Sequence, residues 1–258
     1  MKKLPEFNLF DYESLLISLS RQYEFRLIKD FKVIDDKPTV FLRHDVDFHL
    51  FDITNLSKIE FDLGIKSTYY ILLTSQYNIF ERENLMVLKT IVEQGHDIGL
   101  HYDLMEYPVN NFEKSLSRLN FEIDILNRIL DINISTIVMH QPHTGMEDIF
   151  KKNSNYIHPH NDFFKNEVEY ISDSCRAWRN ENLLNCFSDI HPQNVQLNLH
   201  PEIWLGDQKN RIDFLNNTLL TNLTSPILKM KEYISTIWTR HEATSLHDKR
   251  YFNNDQNK

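Results

Sequence analysis

Short apolar runs alternate with longer stretches of helical periodicity along most of the chain. Leu15, Leu16, Leu19 and Tyr23 recur at helical spacing and predict an amphipathic helix over 11–24. Apolar or alternating runs closed by polar residues predict strands at Thr39–Asp47, Ser67–Leu73, Asp97–Tyr102, Ser135–His140, Glu169–Asp173 and Val195–His200. Helical segments fill most of the gaps, at 51–62, 83–94 and 112–130, the last with Phe112, Leu116, Leu119, Ile123 and Leu126 on one side. Strands alternating with helices predict an α/β fold with a mainly parallel sheet. No repeat and no Pro/Ser-rich linker breaks the pattern, and from about 242 the chain turns polar, predicting a frayed tail over 242–258.

The predicted strands share a feature that apolar periodicity does not require: they end on Asp or His. "FLRHDVDFHL" (41–50) runs from Phe41-Leu42 into paired aspartates. Side chains alternate across a strand, so Asp45 and Asp47 leave one face together while His44 and Val46 leave the other. A helix N-cap for 51–62 would need one aspartate, not two on one face. The third strand brings His101 to its tip, the fourth His140 with His143 just beyond, the fifth Asp173 and the sixth His200. The C-terminal ends of parallel strands are where α/β barrels build their sites. Asp and His are the oxygen and nitrogen donors that hold Zn²⁺ and similar divalent ions, with three protein ligands leaving a position open for catalysis. A spare carboxylate and a spare histidine would then suit a general base and a general acid.

Composition narrows the classes. The chain has 258 residues, 41% of them hydrophobic and 25% charged, with a net charge of −9. That balance suits a soluble enzyme and argues against coating nucleic acid. Five glycines include no G-x-G-x-x-G and no Walker pattern. Cys175 and Cys186 form no C-x-x-C pair, so neither a disulfide framework nor a thiolate metal site is expected. No apolar run has the length of a signal peptide or a membrane span, which predicts a cytoplasmic protein.

The ordered set "LRHDVD" (42–47), "GIKSTYYIL" (64–72), "GHDIGLHYD" (95–103), "HQPH" (140–143), "YISDS" (170–174) and "LHPEIW" (199–204) resembles the polysaccharide deacetylase family, of NodB homology and similar to carbohydrate esterase family 4. The closer likeness is to its branch with H-D-V-D in place of F-D-D-G. The resemblance implies a distorted, TIM-like (β/α)7 barrel over 38–241, with 1–37 as a helical extension packed on it. It implies metal-dependent removal of an N-acetyl or similar N-acyl group from an amino sugar. Asp45 would be the base, Asp47 and His101 metal ligands, His200 the acid that protonates the leaving amine, and Asp173 the group that tunes His200.

One departure stands out. Common members carry a second histidine four residues after the first, and Met105 stands there instead. His96 lies five residues before His101 and so on the opposite strand face. His140, where common members carry an arginine near the base, is the expected third ligand, and His143 the next candidate. His143, Tyr102, Trp178 and Trp204 are candidate substrate contacts, although buried barrel aromatics would read the same way. His158 and His160 form an H-x-H in what reads as a loop.

The expected cofactor is a divalent metal, zinc first. The expected substrate is a nucleotide- or lipid-linked amino sugar on the way to a surface polysaccharide, with no nucleic acid partner; the sequence leaves the oligomeric state open. The competing expectations are a metal-independent or deformylating C–N hydrolase on the same barrel, and a catalytically silent sugar-binding protein.

Overall fold

The structure is a computed structural model that describes residues 3–33, 37–141, 147–152, 154–178, 182–205 and 210–244. It opens with helix α1 (Leu9–Leu19), capped by the Asn8 side chain, which accepts the Asp11 N–H. Strands β1 (Glu24–Arg26) and β2 (Thr39–Val46) follow, then α2 (Ile53–Asp62), β3 (Thr68–Leu72), α3 (Arg82–Glu93), β4 (Asp97–Tyr102), α4 (Phe112–Leu130) and β5 (Ile137–Met139). The short helix α5 (Asp162–Asn166) leads to β6 (Glu169–Ser172), and α6 (Asn182–Asn185) to β7 (Asn194–Leu199). The one-turn α7 (Pro201–Trp204) and the long α8 (Arg211–Thr244) complete the order.

Every strand pairing is parallel. The order is β5-β4-β3-β2-β7-β6, with β1 added beside β2. β1 lies along Thr39–Phe41 and β3 along Arg43–Val46, so the two share one edge of β2, while β7 takes the other edge from Thr39 to His44. β5 and β6 stand at the two ends of this order. The result is a curled parallel sheet with helices, the distorted barrel expected from the resemblance. All residues of β2, β3, β4 and β5 are buried, as in sheets covered on both faces.

The barrel floor is apolar: Phe41, Tyr70, Val138, Ile28 and Phe164 pack together, with Phe31 and Phe163 against them. Gly99 is what lets the Tyr70 ring lie against β4. A Cβ there would sit 2.4 Å from Tyr70 Cε1 and 2.7 Å from Thr136 Oγ1. Above the floor, alternation along β2 turns Phe41, Arg43 and Asp45 inward in succession.

The strands form where the apolar runs predict them, β4 with the same bounds and the others shifted by at most two residues. The short helices α5, α6 and α7 were not anticipated, nor were β1 and α8. β1 is three residues long and gains its conformation from pairing with β2, and α8 is a 34-residue helix. The first helix ends at Leu19 rather than 24, because the chain turns there into β1. By contacts, residues 1–211 form one compact unit and 212–258 a second, whose described part belongs to α8.

Candidate metal centre and active site

Three strand ends bring Asp47, His101 and His140 together, with one ligand atom of each within 4.8 Å of the others. Asp47 is the first residue after β2. Its backbone N–H and that of Phe48 each donate to Glu202 Oε1 at 2.8 Å, and its carbonyl accepts the Ser75 hydroxyl. His101 is next to last in β4, and its Nδ1 lies 3.0 Å from the Val138 carbonyl. The tautomer that donates there turns the Nε2 lone pair toward Asp47 Oδ1, 3.3 Å away. His140 follows β5 and is pinned by its backbone N–H to the Tyr102 carbonyl at 2.7 Å. Its Nδ1 is 3.4 Å from Asp47 Oδ1 and 3.2 Å from His101 Nε2.

This donor set fits a divalent cation. Two imidazole nitrogens face each other and a carboxylate oxygen, an arrangement that needs a proton or a cation between its members. Asp47 Oδ1 is buried and accepts no well-aligned hydrogen bond, although both ring nitrogens stand within ion-pair distance. Burial pushes the Asp47 carboxyl up, but the two imidazoles and the charge of His200 outweigh it and hold the group ionised, far below the usual range. The bond from His101 Nδ1 to a carbonyl is the outer support that metal-binding histidines ordinarily have.

Asp45 and His200 flank the cluster. Asp45 Oδ2 accepts from Arg43 Nη2 at 2.9 Å and from Asn198 Nδ2 at 3.1 Å, while its buried Oδ1 has no hydrogen-bond partner. Burial opposes ionisation of Asp45. The Arg43 guanidinium, helped by His101 and His200, reverses that and keeps its pKa below the ordinary carboxyl value. His200 Nδ1 lies 2.6 Å from Asp173 Oδ1, and its Nε2 stands 3.8 Å from Asp47 Oδ2. Burial lowers the His200 pKa, but the charge and hydrogen bond of fully buried Asp173, with Asp47 and Asp45, raise it well above an ordinary histidine. Asp173 is fixed in turn by the His200 backbone N–H and by Trp204 Nε1 at 2.8 Å.

The remaining candidates lie elsewhere. Tyr102 is fully buried, and its hydroxyl donates to Asp148 Oδ1, which belongs to a carboxylate also paired with His158. Trp178 stacks on Phe7 and donates to the Pro5 carbonyl. Trp204 is wholly buried behind Asp173. His143 lies outside the described residues. Met105 is 66% exposed, and His96 faces the opposite side, hydrogen-bonded to Ser67. His160 is held neutral by burial, its pKa pushed down to about 3.

Three residues of the site were not anticipated. Arg43 and Asn198 sit two positions before Asp45 and His200 on their strands, and so on the same inner face. That spacing was the signal available in the sequence. Glu202, in "LHPEIW", reaches from α7 to cap the turn that presents Asp47. Burial, and then the negative charge of Asp47, push its carboxyl up to about 7.

No family model and no curated protein matches the chain. Solved structures do. A CE4 domain of a multidomain xylanase from the hindgut metagenome of Trinervitermes trinervoides aligns at 12% identity and a TM-score of 0.44, covering 74% of this chain and 83% of that one. A CE4 family pseudoenzyme from Bacillus anthracis aligns at 17% and 0.43, covering 73% of this chain and 62% of its own length. The peptidoglycan deacetylase PdaC from Bacillus subtilis aligns at 11% and 0.42, covering 82% and 100%. The chain is similar to CE4 structures. Likeness at this level does not assign an activity, and the functional reading rests on the side-chain geometry.

Proposed function

We propose that the chain is a metal-dependent hydrolase that removes an N-acetyl or similar N-acyl group from an amino sugar. The observation that carries this reading is the grouping of a three-donor cluster, Asp47, His101 and His140, with an ionised carboxylate and a protonated histidine beside it. A divalent cation in that cluster would supply Lewis acidity toward the amide carbonyl and the water nucleophile.

The chain's own residues divide the proton work. Asp45 is ionised and presents Oδ1 without a protein partner, so it takes a proton from the attacking water while Arg43 and Asn198 hold Oδ2 in place. Water adds to the amide carbon, the C–N bond breaks, and the departing nitrogen needs a proton. His200 is protonated through neutral pH and offers it from Nε2, because Nδ1 is committed to Asp173. The products are a free carboxylate and a free amino group. Zinc is the first expectation for this mixed nitrogen and oxygen donor set.

Incubation of zinc-loaded protein with N-acetylated amino sugars, free and nucleotide-linked, tests the reading by NMR. Release of acetate with an equal amount of free amine is expected, reduced about 10²–10⁴-fold in Asp45→Asn. Formate release from N-formyl sugars alone would reassign the acyl group. No acyl release by metal-loaded protein would contradict the reading.

A further inference from the structure

The rings behind His200 belong largely to the start of the chain. Trp204 Nε1 donates to Asp173 Oδ2 at 2.8 Å, and Asp173 Oδ1 lies 2.6 Å from His200 Nδ1. The His200 backbone N–H stands 3.1 Å from both carboxylate oxygens and does not choose between them. The Trp204 bond does choose: it fixes the rotation of the carboxylate that brings Oδ1 to Nδ1. Three rings meet Trp204 edge-on, Phe7 at 5.4 Å, Tyr12 at 5.3 Å and Trp178 at 5.9 Å. Phe7 and Tyr12 precede the barrel, and Trp178 is stacked on Phe7 at 5.6 Å and donates to the Pro5 carbonyl at 3.1 Å. Cys175 and Arg176, just after Asp173, are both left-handed, with φ of 62° and 55°. Residues with side chains keep that conformation where their surroundings hold them. Arg176 is held by the Phe7 ring, 5.1 Å from its guanidinium, and by the Ile203 carbonyl at 3.0 Å.

We infer, resting on the acid role proposed above for His200, that Phe7 is a positioning residue for the proton donor, acting through Trp204 and Asp173. Residues 5–12 form the socket that aims the Trp204 N–H at Asp173 Oδ2. While that bond holds, Nδ1 stays committed to Asp173 and Nε2 is left for the departing nitrogen. Without the Phe7 ring, Trp204 has room to turn and the Asp173 carboxylate loses its stop. Attack of water on the acyl carbon does not pass through these contacts. The loss therefore falls on bonds whose leaving group needs a proton.

Two measurements on the zinc-loaded full-length chain test this. The first compares an N-acetylated amino sugar, whose amine must be protonated to leave, with 4-nitrophenyl acetate, whose phenolate leaves without a proton. Phe7→Ala should lower kcat for the amide by about 10-fold at unchanged KM, and leave the aryl ester within about two-fold of wild type. Phe7→Leu, which keeps apolar volume without a ring, should give the same split at smaller size, and Phe7→Tyr should restore the amide rate. Equal loss on both substrates with unchanged circular dichroism, or no loss on the amide, overturns the inference while the deacetylase reading stands. No acyl release by wild type contradicts that reading, and the inference with it. The second measurement needs no turnover. The indole N–H resonance of Trp204, identified by its loss in Trp204→Phe, should exchange with solvent about 10-fold faster in Phe7→Ala than in wild type. Unchanged exchange overturns the inference whatever the protein hydrolyses.

Discussion

Arg43 is 2% exposed on the inner face of β2, with its guanidinium against the rings of Tyr70 and Tyr170 and paired with Asp45. A buried cation held this way sets the protonation of its partner. Without Arg43, burial dominates and the Asp45 pKa rises. Arg43→Lys, which keeps the charge, and Arg43→Met, which removes it, therefore make a graded series. The acid limb of kcat/KM against pH should move upward in Met and less in Lys, and the rate at neutral pH should fall by about 10²-fold in Met. An unmoved limb in a folded Met variant would show that Arg43 does not act through Asp45. At this scale the sequence showed the tip residues, because Asp or His closing an apolar strand is conspicuous. Arg43, Asn198 and Glu202 were hidden, because a polar residue inside a strand or after a proline reads as ordinary surface until its burial is known.

At the scale of elements, the back of β2 is as polar as its front. Glu60 of α2 is fully buried and accepts from Tyr12 of α1, from Tyr69 of β3 and from Ser67, with His44 of β2 at 2.7 Å. His96, just before β4, stands at 3.4 Å. Burial raises the Glu60 pKa, but His44, His96 and Ser67 outweigh it, and the folded value lies below the ordinary one. The sign follows: stability from Glu60 is complete above its unfolded pKa and is lost as pH falls below about 4.5. His96, with its pKa depressed by burial, adds a loss that begins near 6.5 as the unfolded chain takes up the proton. Glu60→Gln should lower Tm at pH 7 by about 10 °C, consistent with roughly 3–5 kcal/mol for a broken buried pair. It should also flatten the fall of Tm below about pH 4.5, leaving the His96 loss that begins near 6.5 in place. An unchanged acid slope in calorimetry would remove Glu60 as its source. Apolar runs made β2 to β7 legible, whereas three-residue β1 has no period to read. The Asn, Thr and Pro residues of α8 hide that helix from a reader looking for strong helix formers.

At the scale of the whole molecule, the parallel order β5-β4-β3-β2-β7-β6 explains how Asp45 and Asn198, 153 positions apart in sequence, meet at the site. Parallel strands present their C-terminal ends at one face, so a residue one step past β2, one inside the end of β4 and one past β5 converge without any local motif. That geometry explains how His140, 39 positions from His101, comes within 3.2 Å of it, while Met105 points to solvent. The alternation of strands and helices was enough to predict a parallel α/β sheet, and the family resemblance supplied the barrel. The mutual distances of the tip residues depend on register and curl, which no single sequence displays. The central claim is that Asp47, His101 and His140 form one metal site, and elemental analysis after zinc loading and dialysis tests it most directly. Wild type should retain close to one equivalent, and Asp47→Ala, His101→Ala and His140→Ala should each lose it, with affinity falling by more than the roughly 100-fold upper range for losing an outer-shell partner. A wild type that retains no divalent metal, or a His140→Ala protein that holds it as tightly as wild type, would contradict the account.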